Sequence, residues 1–295
     1  MTETRGTGAS VRRVADRELP SFDLVLATVD RVDEVGLLLD SLEKQTHTAF
    51  RVLLVDQNED DRLGPLLSEH PSLEVMRLRS ERGLSRARNA ALELTRADFV
   101  AFPDDDCIYP DDLLARIARR FADAPALDGL TVRSADANGS SAASWSRQPA
   151  TLDRTNLWNR AISYTIFLRG PVVRELDGFD EKLGLGSGQA SSSGEEIDLL
   201  LQALERGARI DFDPELIVLH EEKVHSPAAL RALGARDGAS IGYLLRKHGY
   251  PLRAVVRMLV RPLAGAALAL ARGDTSRARF QLSTMRGRLR GYRTA

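Results

Sequence analysis

The chain has 295 residues, 43% of them hydrophobic and 28% charged. This fits a sizeable globular core with or without an appendage, and excludes collagen-like, disulfide-scaffold and wholly disordered classes. The net charge of −1 conceals an asymmetry. Residues 246–295 hold 12 Lys/Arg against one acid, Asp274, a balance of +11, which leaves −12 for residues 1–245. An acidic body is a poor partner for nucleic acid, and none is expected, whereas the basic tail suits an anionic surface.

Residues 1–20 are polar and mixed in charge, and read as a flexible N-terminus without a signal peptide. The apolar run at 23–29 predicts a strand. Across 33–44, Val35, Leu38, Leu39 and Leu42 recur at helical spacing. Residues 51–55 predict a second strand, 63–70 a short helix, 73–78 a third strand, 85–95 a helix and 98–102 a fourth strand. A helix over 110–121 opens on a proline. This alternation implies a mainly parallel α/β sheet with helical crossovers. Beyond it, 134–146 reads as a loop, 162–168 as a strand and 185–194 as a flexible Gly/Ser segment placed to act as a lid. A helix follows at 195–206, then two short strands at 209–212 and 216–219. From His225 onward every segment looks helical. Cys107 has no partner for an internal disulfide and reads as a small buried residue.

Ligands of open α/β sheets bind beyond the carboxyl ends of the strands. That rule selects the loops at 28–30, 56–61 and 104–106. Asp104, Asp105 and Asp106 repel one another, and a divalent cation or solvent relieves them. Arg82, Arg86 and Arg88 open a helix, where they meet anions or form a solvated basic face. Glu195 and Glu196 begin the helix after the Gly/Ser segment, either compensating its dipole or supplying a general base. His220 closes a strand and is a structural residue or a ligand.

Taken together, these segments resemble glycosyltransferase family 2, inverting enzymes of GT-A fold. The resemblance rests on ATVDR at 27–31, VLLVDQNEDD at 52–61 and RGLSRARNAALELTRADFVAFPDDDC at 82–107. GFDEKLG at 178–184 and GEEIDLLLQALERG at 194–207 complete it. It covers about residues 21–222 and implies a GT-A catalytic domain at 21–224 followed by a helical basic extension at 225–295. It also implies that Thr28, Asp30 and Asp56 hold the nucleoside, with Asp104 and Asp105 near the donor. Arg86 and Asn89 would support the diphosphate. Asp106, with Asp104 and His220, would ligate Mg²⁺ or Mn²⁺. Glu196 takes the place of the family's catalytic acid, with Glu195 its neighbour. Val29, Cys107 and Glu196 depart from the family pattern, which usually has an aromatic, an acid and an Asp at those places.

The resemblance implies transfer of a sugar from a nucleotide-diphosphate sugar to a saccharide or lipid-linked acceptor in polysaccharide, glycolipid or cell-envelope assembly. The acceptor would meet residues 145–158 and the Gly/Ser segment. The alternatives are a non-catalytic GT-A-fold binding protein and a sugar-phosphate nucleotidyltransferase, although the Gly-rich basic loop of the latter is missing from ATVDRVDE. The expected location is cytoplasmic, peripheral on the inner face of the cell membrane. Arg253, Arg257 and Arg261 share a helical face, and residues 251–295 read as an anchor on anionic lipid or as a cap on the fold. Only ten uncharged residues separate Arg261 from Arg272, so no span across a bilayer is expected.

Overall fold

A computed structural model describes residues 19–141, 145–221 and 225–295. Nearly all of the expected flexible N-terminus lies outside the described residues. In chain order the first half comprises β1 (Phe22–Thr28), α1 (Asp33–Glu43), β2 (Phe50–Asp56), α2 (Leu63–Glu69), β3 (Val75–Arg79), α3 (Leu84–Leu92), β4 (Phe99–Ala101), β5 (Cys107–Ile108) and α4 (Leu113–Asp123). Then come β6 (Gly129–Ala135), β7 (Ala150–Thr151), β8 (Ile166–Arg169), α5 (Gly170–Glu175), α6 (Glu195–Glu205), β9 (Ile210–His220), α7 (Pro227–Lys247), α8 (Leu252–Ala271) and α9 (Thr275–Thr294).

The strands form one sheet in the order β3-β2-β1-β4-β8-β6-β9-β5, with β7 also paired to β9. β3, β2, β1 and β4 run parallel, joined by helical crossovers. β8 is antiparallel to both β4 and β6, so the far half is mixed. The alternation of β1 divides the core. Phe22, Leu24 and Leu26 face α1 and α4, while Val25 and Ala27 face α3, α6 and α7. Asp23 is fully buried on β1, where it accepts from Arg51 Nε at 2.5 Å and from the backbone N–H groups of Arg96 and Ala97.

Several elements differ from expectation. The two short strands at 209–219 are one strand, β9. Its pairing with β6 shifts between Val132 and Arg133, and Pro214 falls in that irregularity, where its missing N–H breaks no ladder bond. β6, unread in the sequence, is buried throughout. The strand expected from Ile162 starts at Ile166, after a 3₁₀ turn at Ser163–Thr165. Pro110 stands ahead of α4 rather than at its start, and its carbonyl accepts from Leu113 N–H.

The C-terminal helices share the core of the sheet domain: Tyr243, Leu244, Leu245, Tyr250 and Val255 pack into the cluster beneath α6. α7 and α9 approach closely through glycines. A Cβ on Gly291 would stand 1.8 Å from the Ala239 carbonyl oxygen, and one on Gly242 2.0 Å from that of Arg288. Pro262 lies inside α8 and cannot donate to the Met258 carbonyl one turn back. Arg288 Nη1 of α9 donates to that carbonyl instead. By length and composition α8 is apolar enough to cross a membrane, contrary to the count of uncharged residues between arginines, because its charges gather at one end. Only 22% of its apolar window is buried.

Candidate active site

The ends of β1, β4 and β9 meet at one edge of the sheet. After β4 the chain turns through Asp104, Asp105 and Asp106, and Cys107 N–H closes the turn on the Asp104 carbonyl at 3.2 Å. β5 then pairs with β9, setting Cys107 opposite His220. This register brings His220 Nε2 to 3.1 Å from Asp106 Oδ1. The imidazole is stacked on Tyr164, with ring centroids 4.8 Å apart. Thr28 Oγ1, at the end of β1, donates to Asp105 Oδ2 at 2.7 Å.

Two arginines answer the carboxylates. Arg31 Nη1 bridges Asp105 Oδ1 at 2.5 Å and Asp106 Oδ2 at 2.8 Å. Arg88, on α3 and fully buried, spans the site from within. Its Nη2 donates to Asp104 Oδ1 and its Nη1 to Glu195 Oε1, each at 2.8 Å. Ser163 Oγ adds a bond to Asp104 at 2.9 Å, and the guanidinium lies over the Phe179 ring. Burial raises the carboxyls of Asp104 and Asp105 above the usual carboxylate range, against the pull of these donors.

The acidic turn, Thr28, Arg31 and His220 border a cleft of about 520 Å³, which Val29, Gln57, Arg82, Gly83, Leu185 and Gly186 also help to line, whereas Arg88, Glu195 and Glu196 are not among its lining residues. Such a volume suits a small-molecule ligand. The Gly/Ser segment forms one wall and is fastened at both ends. Leu84 N–H donates to Leu185 O, and Ser193 Oγ donates to Asp237 of α7.

The first turn of α6 follows Gly194, which has φ +80° and would be strained with any side chain. Glu195 is buried and committed to Arg88. Glu196 is half-buried. Loss of water, and then the charge of Glu195, pushes its carboxyl up to about 8.

Not every candidate reaches the cleft. Asp56 is fully buried and engaged elsewhere: its Oδ2 meets Arg77 at 2.6 Å and Arg79 at 3.2 Å, and its Oδ1 accepts from Asn58. Burial raises its carboxyl, but Asn58 and Arg77 outweigh that and hold it low. Asp30, at φ 59°, pairs with Arg62 and Arg82. Arg86 turns to Glu81 and Glu181, and Arg82 lines the cleft in its stead. Asn89 clamps the backbone of Phe179 through both amide atoms, at 2.7 and 2.9 Å. Trp145 packs by Phe212, and Trp158 by Tyr250.

Sequence reasoning singled out neither Arg31 nor Gln57, both of which line the cleft. Arg31 is the last residue of the ATVDR segment, and the basic charge beside the acidic turn was the available signal. Asp198 was missed as well. It is fully buried on α6 and accepts from His248, Lys247 and Gln202, which ties the helix bearing Glu195 and Glu196 to the end of α7. Asp40, Glu43 and His70 also bring three ligand atoms within 4.8 Å of one another, but they lie on α1 and just past α2 and do not line this cleft.

The family model of glycosyl transferase family 2 matches residues 23–171, half of the chain. The chain belongs to glycosyl transferase family 2. A pre-mycofactocin glycosyltransferase of Mycobacterium tuberculosis is 26% identical over 260 residues, covering 75% of this chain and 53% of the relative. An uncharacterized glycosyltransferase of Haemophilus influenzae is 30% identical over 91 residues, covering 30% and 31%. The chain thus spans about half the length of the M. tuberculosis relative.

Among solved structures, the mannosyltransferase PcManGT from Pyrobaculum calidifontis, in complex with GDP-Man and Mn²⁺, has a TM-score of 0.62 at 16% identity. It covers 93% of this chain and 87% of its own. S. aureus TarS 1-349 in complex with UDP-GlcNAc has a TM-score of 0.59 at 19% identity, covering 90% and 92%. These likenesses show the fold, which is the expected GT-A type with a helical C-terminal region.

Proposed function

We propose that the chain transfers a sugar, with inversion, from a nucleotide-diphosphate sugar to an acceptor hydroxyl, in the assembly of a polysaccharide, glycolipid or other envelope component. The observation that carries this reading is the Arg88 bridge. One buried guanidinium fixes the acidic turn at Asp104 and the acidic helix start at Glu195 in a single constellation. The nucleotide sugars bound by PcManGT and TarS 1-349 support the choice of donor class.

Asp106, Asp104 and His220 would hold a divalent cation: Asp106 Oδ1 and His220 Nε2 stand 3.1 Å apart, Asp104 belongs to the same turn, and carboxylate oxygens suit a hard ion such as Mg²⁺ or Mn²⁺. The mutual repulsion of the acidic turn, answered now by Arg31, fits the same ion. Bound there, the ion would offset the charge of the leaving diphosphate. Thr28, Gln57 and Arg82 line the cleft where the donor would lie. Glu195 is held as the partner of Arg88, which leaves Glu196 as the base. The Glu196 carboxylate takes the proton of the acceptor hydroxyl as that oxygen bonds to the anomeric carbon. The anomeric bond to the diphosphate breaks on the opposite face, and the diphosphate leaves with the electron pair. Alignment of the two substrates supplies much of the rate.

The test incubates the purified chain with a panel of nucleotide sugars, Mn²⁺ or Mg²⁺ and simple saccharide or lipid-linked acceptors. Expected are release of a nucleoside diphosphate and a product of opposite anomeric configuration by NMR. A product retaining the donor's configuration would overturn inversion, and no diphosphate from any donor would overturn the transferase reading.

A further inference from the structure

We infer that α8 is an interfacial helix whose solvent-facing half lies flat on an anionic phospholipid surface. Of the twelve large apolar side chains exposed among the described residues, six are on this one helix: Leu252, Val256, Val260, Leu263, Leu268 and Leu270, between 41% and 73% exposed. At 3.6 residues per turn, Leu252, Val256, Val260, Leu263 and Leu270 fall within a strip of about 80°. Arg253, Arg257 and Arg261 form the adjoining strip, also exposed. Val255, Pro262, Ala266 and Ala269 occupy the opposite side and are buried.

A surface helix of a globular protein ordinarily turns polar residues to water. α8 instead turns an apolar strip and a cationic strip outward together, the division that seats a helix at the boundary of headgroups and acyl chains. Spanning is excluded by its placement: one side is packed on the fold, and three arginines occupy its first ten residues. A second copy is a poor occupant. Residues 252–273 contain no acid, so apposed α8 helices would bring arginines together with nothing on the helix to pair them. Phosphate headgroups supply the missing counter-charge, and Arg272 adds a fourth cation at the far end.

The test is co-sedimentation of the full chain with vesicles of phosphatidylcholine alone or mixed with phosphatidylglycerol, at low and high salt. It needs no turnover, so it stands or falls apart from the transferase reading. The intact chain should bind the anionic vesicles and not the neutral ones. R253E/R257E/R261E should lower that partition by about 100-fold or more. V256S/V260S/L263S should still be attracted at low salt but be released completely by high salt. All six positions are exposed or nearly so, and unchanged far-UV circular dichroism will confirm that the variants fold. The inference fails if the intact chain ignores anionic vesicles, or if the arginine variant binds as well as the parent. Self-association that V256S/V260S/L263S abolishes, without vesicle binding, would assign the face to a second copy and overturn it too.

Discussion

Glu195 and Arg88 form a buried ion pair at 2.8 Å, the guanidinium 1% and the carboxylate 6% exposed. The pair joins the first turn of α6 to α3 across the core. The same guanidinium holds Asp104, so its charge is shared between two of the acids that surround the candidate site.

Removing one partner of a buried pair leaves the other charged and without compensation, at a cost of about 3–5 kcal/mol. Arg88→Met is therefore expected to lose about that much stability in urea unfolding. Arg88→Lys should recover only part of it, because a single ammonium cannot reach both acids in the fork geometry. A melt of Arg88→Met matching the parent would remove the bridge from the account of the site.

The two glutamates should separate cleanly. Glu196→Gln cannot accept a proton and should slow transfer by roughly 10²–10⁴-fold while leaving donor binding near that of the parent, and it should raise the melting temperature at neutral pH, because it removes a carboxyl whose ionised form the fold disfavours. Glu195→Gln removes the charge facing Arg88 and should lower the melting temperature. If Glu195→Gln melts normally yet is the variant that loses turnover without losing donor affinity, the base is Glu195.

The raised Glu196 carboxyl has a signed consequence for pH. A base must be unprotonated, so turnover should climb as pH rises through about 8 rather than through the ordinary glutamate range. Stability moves oppositely. The folded state favours the protonated form, so that contribution is present below the unfolded value of 4.5 and is lost as pH rises toward about 8. Glu196→Gln should flatten both profiles, and a turnover profile already level at pH 6 would contradict the assignment.

Arg31 bridges Asp105 and Asp106, where a divalent ion would share the carboxylates. Arg31→Ala should bind Mn²⁺ more tightly in calorimetry with a nucleoside diphosphate present, and Asp106→Asn should bind it more weakly. Exhaustive chelation should stop turnover of the parent chain; activity that survives it would rule out the metal.

The parallel half of the sheet was legible because β1, β2 and β4 are compact apolar runs separated by helical repeats, and β3, at the edge, still alternates Val75, Arg77 and Arg79 with Met76 and Leu78. β6 was not, since Thr131, Arg133 and Ser134 break its pattern. The burial of Arg133 and Ser134 is compensated by tertiary partners, Pro214 O for Arg133 Nε and the Tyr164 hydroxyl for Ser134. At the site, the strand-end rule found Thr28 and the acidic turn without knowledge of their contacts, and the family resemblance added His220 as a ligand. The rule could not tell that Asp56 is absorbed by Arg77 and Arg79, because those arginines reach it from the neighbouring strand β3. The family resemblance named Arg86 and Asn89, but the direction of each side chain depends on Glu181 and Phe179, more than 85 residues away.

The bond from Arg288 to the Met258 carbonyl makes two distant positions answer to one another. A residue with an N–H at 262 would reclaim that carbonyl for the helix and leave the half-buried Arg288 guanidinium, which burial already lowers to about 10, without its acceptor. A shorter residue at 288 would leave the carbonyl unanswered while Pro262 stayed. Each single change therefore strands a polar group, whereas changing both restores an ordinary helix beside an ordinary neighbour. Positions 262 and 288 form an epistatic pair, and substitutions that look harmful in isolation become neutral when they arrive together.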